Sequence, residues 1–291
     1  MENSSRPTNA ERREAARAQA AARRDAQLKR DSRNRMLMIV GIVVVVALAI
    51  AAVVMAVVSK KNEEGIGSAA RPAIATEDGG ISFAGPEKKA GSSIDGKPVV
   101  DVYFDYSCSA CASFEYLHAD DIKAMLDGGE ANIVFHPVSI LGSGFTGVAA
   151  NAFYEVADRN PELALAFHEG LFGLYIEFAQ TQDDSKMNMT GITAVATEVG
   201  VPQETIDAFA KNTYVELVNN ATNNFVARSH SGELNPDKKA GTPTIVKDGK
   251  PGDFGQLMQP GGLAQWVRTD TYPTPAPEAA PEAAPSESAG N

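Results

Sequence analysis

Residues 101–111 read Asp-Val-Tyr-Phe-Asp-Tyr-Ser-Cys-Ser-Ala-Cys, an apolar run that leads into two cysteines three apart. Val99 to Phe104, preceded by Lys97-Pro98, is rich in β-branched and aromatic residues and reads as a strand. After the second cysteine the period changes. Ala110, Cys111, Phe114, Leu117, Ile122, Met125 and Leu126 recur at three- and four-residue spacing, one face of a helix. Gly128-Gly129 ends it, and Ile133 to His136, closed by Pro137, reads as a second strand. Cys108-Ser109-Ala110-Cys111 therefore lies where a strand gives way to a helix.

That placement has chemical consequences. Free amide N–H groups and the positive dipole end at a helix start stabilise an anion by roughly 0.3–1 kcal/mol, and a thiolate there has a lowered pKa. One helical turn brings Cys111 close enough to close a disulfide with Cys108. This reading places the first sulfur open to solvent at the helix tip and the second on the inner face, one to be attacked and one to resolve. An inert local disulfide is the bland alternative. So short a loop constrains the unfolded chain little, however. Half of a metal site is the other alternative, but His118, His136, His168 and His230 show no useful ligand spacing. His118 and His136 read as packing residues, and no metal or organic cofactor is expected.

The rest of the domain reads as helices followed by a strand and a hairpin. Residues 143–230 are largely helical, with Asn160-Pro161 as a helix start, and Gly200 with Pro202 separating two later helices. Pro243 to Lys247 reads as a strand and Asp248-Gly249 as a tight turn. Gly261-Gly262 precedes a short last helix with the only tryptophan, Trp266. The order is strand, helix, strand, helical block, strand, strand, helix, which gives an α/β domain over residues 80–269.

The strand–Cys-x-x-Cys–helix unit, together with Gly241-Thr242-Pro243-Thr244-Ile245-Val246, resembles the thioredoxin superfamily. There a cis proline faces the cysteine pair. Phe104 to Cys111, then Ser113 to His118, is similar to the extracytoplasmic DsbA-like branch, as is the helical excess within the 131 residues from Cys111 to Thr242. The resemblance implies a thioredoxin fold with an inserted helical block and a protein thiol–disulfide oxidoreductase. It implies Cys108 as the nucleophilic, substrate-bonded cysteine and Cys111 as the resolving one. Thr242 and Pro243 would align a substrate chain like an added strand. Exported proteins with free thiols would be its substrates, and a separate membrane oxidase would re-oxidise it.

Two departures from that pattern stand out. The active-site dipeptide is Ser109-Ala110, which offers no imidazole to Cys108. The buried carboxylate often found six residues before the first cysteine is replaced by Val102. Asp101 and Asp105 fall on the other side of the strand. If Asp105 lies near the pair, its charge opposes thiolate formation. The expected Cys108 pKa is thus below the free value of about 8.5 but above the value of about 3.5 of a strongly oxidising DsbA. A reductase or thiol donor for apocytochromes or metal centres, and a non-catalytic binding or redox-sensing protein, are the alternative functions.

The flanks belong to other physical regimes. The chain has 291 residues and a net charge of −11, but residues 1–35 hold ten basic and five acidic side chains. Residues 36–58 are 23 consecutive uncharged residues. As a helix they span roughly 35 Å, enough for a bilayer core of about 30 Å. This predicts one transmembrane helix in the lipid bilayer ahead of the folded domain. Arg23, Arg24, Lys29, Arg30, Arg33 and Arg35 on its N-terminal side place residues 1–35 in the cytoplasm and the acidic body outside the cell membrane. Residues 59–79 read as a stalk, and residues 270–291, rich in Pro, Ala and Glu, as a disordered tail. An acidic body does not supply the positive field that nucleic acid needs, and two cysteines cannot staple a disulfide scaffold.

Overall fold

Residues 69–273 are described by a computed structural model. The head at 1–35, the span at 36–58, the first part of the stalk and most of the tail lie outside the described residues. Among the described residues, no helix is long and apolar enough to cross a membrane.

The run expected to be the first strand is the middle of the sheet. Ile81–Ala84 (β1) and Lys89–Ala90 (β2) precede Val99–Phe104 (β3), and Ser109–Asp127 (α1) leads to Asn132–Pro137 (β4). Thr244–Lys247 (β5) and Lys250–Pro251 (β6) complete one six-stranded sheet in the order β2-β1-β4-β3-β5-β6. β3 and β4 are parallel, as the intervening helix requires, and every other pairing is antiparallel. β1 and β2 are too short for a periodic signal, and so the sequence reading starts the domain's strands at Val99. Asp248 and Gly249 both take positive φ in the β5–β6 hairpin, the conformation that the Asp-Gly pair favours.

Between β4 and β5 lie Gly144–Arg159 (α2), Ala164–Thr181 (α3), Met189–Val199 (α4), Gln203–Ala208 (α5) and Val215–Ser231 (α6). Ser143 caps α2 and Asn188 caps α4 through their side-chain oxygens. Asn160-Pro161 does not start a helix. Asn160 ends α2, its side-chain oxygen accepts from Thr205 Oγ1 at 2.7 Å, and α3 begins four residues later, at Ala164. Phe254–Leu257 (α7) and Gly262–Thr269 (α8) close the chain.

The larger core lies between one sheet face and the helices. Phe83, Phe104 and Phe135 meet Tyr106, Phe153, His168 and Phe172 there. On the other face Tyr103, Val138 and Val246 pack against Phe225 of α6. Residues 69–79, within the range read as stalk, pack on the fold. Tyr154 Oη donates to the Gly79 carbonyl at 2.7 Å, and Arg228 Nη1 donates to Asp78 at 2.9 Å. Gly80 has to be glycine, because a Cβ there would lie 2.4 Å from the His136 ring. At the other end, Lys247 Nζ donates to the Trp266 and Val267 carbonyls and pairs with Asp270, and Tyr272 stacks on Trp266. The first residues of the tail are thereby tied to β5.

Phe135 is fully buried, with ring centroids 4.2 Å from His168 and 5.6 Å from Phe83. Phe135→Ala is expected to cost about 3–5 kcal/mol in urea unfolding. A loss under about 1 kcal/mol would place the core elsewhere.

Candidate active site

β3 ends at Phe104, and the chain turns through Asp105, Tyr106 and Ser107 into α1. Cys108 is the N-cap of that helix, in extended conformation with φ −95° and ψ 119°. Its sulfur takes the place usually filled by a Ser or Asp oxygen. Cys111 N–H donates to Cys108 Sγ at 3.3 Å, while Ala112 N–H bonds the Cys108 carbonyl at 3.0 Å. Both cysteines are free.

β5 is antiparallel to β3, with Tyr103 opposite Thr244. Running two residues back from Thr244 brings Thr242 over the start of α1. The Thr242–Pro243 peptide is cis. Cys108 Sγ lies 3.2 Å from the Thr242 carbonyl, across 134 residues of sequence. The structure thus brings Cys108, Cys111, Thr242 and Pro243 together. Ser109 is exposed and Ala110 half-buried at the same helix tip.

One expectation needs correction. The sequence reading leaves Cys108 open to solvent, but only 7% of it is exposed, against 2% of Cys111. The cover comes from the Thr242–Pro243 loop, which local spacing does not reveal.

Electrostatics separate the two thiols. Cys108 is held down at a pKa of about 6. The Cys111 thiol, donating to the Cys108 sulfur, is the main cause. Burial opposes the shift, and Thr242 with the amides of Cys111 and Ala110 adds to it. The neutral Cys108 thiol can donate to the Thr242 carbonyl. The Thr242 hydroxyl, buried and without a hydrogen-bond partner of its own, is the donor left over beside the pair, and it helps to hold the Cys108 pKa down. Cys111 is pushed well above the ordinary thiol range, first by burial and then by holding its proton toward Cys108. At neutral pH the pair is one thiolate and one thiol, the state from which a disulfide exchanges partners.

Beneath the pair, Tyr106 Oη and His168 Nδ1 are 3.0 Å apart, and His168 Nε2 lies 3.6 Å from Glu115, all three buried. His118 is fully buried and bonds the Leu257 carbonyl at 2.8 Å, a packing residue. His136 bonds Asp101 at 2.8 Å on the far side of the sheet and stacks on Tyr103. Among the described residues, no group of three His, Cys, Asp or Glu could hold a metal ion. A cleft of about 390 Å³ opens beside Pro243, lined by Leu234, Ile245, Pro251 and the partly exposed Phe254 among others.

The family model for thioredoxin matches residues 91–256, which include both cysteines, Thr242 and Pro243. The chain belongs to the thioredoxin family. Among solved structures, the MdbA protein, a thiol-disulfide oxidoreductase from Actinomyces oris, is 31% identical with a TM-score of 0.58. That match covers 70% of this chain and 91% of MdbA. Reduced DsbA from Mycobacterium tuberculosis shares the fold at 22% identity and a TM-score of 0.50, over 65% of this chain and 90% of that one. No curated protein matches the chain by sequence. With a relative this similar covered almost end to end, the thioredoxin-family domain is a thiol–disulfide oxidoreductase. The helical block between β4 and β5 is an insertion into the thioredoxin fold.

The lowered Cys108 pKa carries a stability signature. A thiol held below its unfolded value binds fewer protons folded than unfolded at pH values between the two. Its stabilisation is full above the ordinary thiol value near 9 and is lost as pH falls through about 6. The reduced protein should therefore gain stability over Cys108→Ser between pH 6 and 8.5 in paired denaturant titrations. A difference that does not change with pH would contradict the assignment.

Proposed function

We propose that this protein is a membrane-anchored, extracytoplasmic oxidant that forms disulfides in exported proteins through Cys108 and Cys111. The observation that carries this reading is the unequal pair: a stabilised Cys108 thiolate at a helix tip, beside a Cys111 that keeps its proton.

A substrate thiolate attacks Cys108 Sγ of the oxidised pair. The Cys108–Cys111 bond breaks, and Cys111 leaves and takes up a proton. A second substrate thiolate then attacks the substrate sulfur of the mixed disulfide. Cys108 leaves as the thiolate that the Cys111 amide, the Cys111 thiol and the Thr242 hydroxyl stabilise. Two electrons pass to the pair, and the substrate gains one disulfide. Because the reduced state is the stabilised one, the disulfide is oxidising. The shift to about 6 is smaller than that of a strong DsbA, and so the oxidant is milder.

Thr242 and Pro243 hold the substrate backbone beside Cys108, and the cleft lined by Ile245 and Phe254 receives its side chains. Residues 36–58 hold the domain at the outer face of the membrane, where exported chains emerge with reduced thiols. A membrane partner returns the dithiol to the disulfide.

Cys111→Ala removes the resolving sulfur and should accumulate mixed disulfides through Cys108 when mixed with reduced, unfolded substrate. Cys108→Ala should trap none. The wild type should accelerate oxidative refolding more than it accelerates insulin reduction. The reverse order would make it a reductase, and an absence of adducts would make it a binding protein.

A further inference from the structure

Asp105 is an aspartate with no exposed surface, three residues before Cys108. A buried carboxylate is costly unless its oxygens are hydrogen-bonded. Here they are fully engaged. Oδ1 accepts from Ser107 N–H at 2.9 Å and from the Thr146 hydroxyl, while Oδ2 accepts from Leu141 N–H at 3.0 Å. The Ser107 hydroxyl closes the ring at 2.8 Å from Thr146 Oγ1. The Asp105 carbonyl in turn accepts from Cys108 N–H at 2.9 Å.

These bonds come from two parts of the chain. Ser107 and Cys108 belong to the active-site turn. Leu141 and Thr146 belong to the approach to α2 and its first turn, where the helical insertion begins. Thr146 is itself fully buried. The carboxylate therefore fixes the turn that delivers Cys108 to the head of α1, and it fixes that turn against the insertion. Without this tie, Cys108 Sγ would be free to leave the Cys111 amide at 3.3 Å and the Thr242 loop at 3.2 Å.

We propose that Asp105 is a positioning residue of the redox centre, held by Thr146 and Leu141, so that the helical insertion sets the geometry of the Cys108 sulfur. The proposal rests on Cys108 being the reacting thiol, and it reverses the sign expected from charge alone. A nearby negative charge opposes thiolate formation, so weakening the Asp105 charge would lower the Cys108 pKa. Loss of positioning raises it, because the sulfur leaves its hydrogen-bond donors.

The experiment is an ultraviolet thiolate titration of full-length reduced wild type, Thr146→Val, Thr146→Ser and Asp105→Asn, with a thermal melt of each. The wild-type midpoint near 6 tests the reading of Cys108 by itself. For Thr146→Val, which keeps the aspartate, the midpoint should rise by about one pH unit, the scale of one hydrogen bond to a charged sulfur. Thr146→Ser restores the hydroxyl and should restore the midpoint. Should Thr146→Val not fold, Asp105→Asn decides, and its midpoint should also rise. A midpoint that stays in place while only the melting temperature falls would reduce Asp105 to a structural residue and overturn the proposal. A midpoint that falls would show Asp105 acting through its charge, and would overturn it equally.

Discussion

A sulfur anion at the tip of a helix is the constraint on which the rest of the structure depends. Cys108 caps α1 with its own side chain, so the charge developing on sulfur meets the Cys111 amide and the positive end of the helix. The site is mostly buried, and there such contacts are worth more than they would be in water. The sheet exists around this demand. β3 delivers the sulfur, and its antiparallel neighbour β5 delivers the Thr242 carbonyl and hydroxyl from 134 residues away. No local motif could supply both.

The helical insertion works on the same problem. Its first helix grips the turn before Cys108 through Thr146 and Asp105. Its last helix reaches the far face of the sheet, where Arg228 donates to Asp78 and to the Tyr103 hydroxyl at 3.0 Å. Asp78 belongs to the segment that leads into β1, so one arginine ties that segment, the central strand and the insertion together. These contacts tie the insertion to the central strand and to the turn that carries Cys108.

Much of this arrangement was legible in the sequence, for identifiable physical reasons. The step from a β-branched and aromatic run at Val99–Phe104 to helical spacing after Cys111 places the redox pair at a strand–helix junction. Asp248-Gly249 marked its hairpin because few other dipeptides take two positive φ values. What stayed hidden depended on distance along the chain. The cover over Cys108 comes from Thr242, and the donors on Asp105 from Leu141 and Thr146, so neither leaves a local pattern. β1, at four residues, is too short to show a period. Asn160-Pro161 carried a helix-start signal, but the tertiary bond to Thr205 used Asn160 to end α2 instead. Sequence shows only the charge of Asp105, whereas its hydrogen bonds to Ser107, Leu141 and Thr146 are the more informative property.

The most direct measurement is the reduction potential of the Cys108–Cys111 pair, from the thiol and disulfide fractions after equilibration in glutathione buffers. A Cys108 pKa of about 6 lies between those of thioredoxin and DsbA. The expected result is one reversible two-electron transition with a midpoint between about −270 and −120 mV. A midpoint below about −300 mV, typical of a structural bridge, or a pair that never equilibrates with glutathione, would contradict the account.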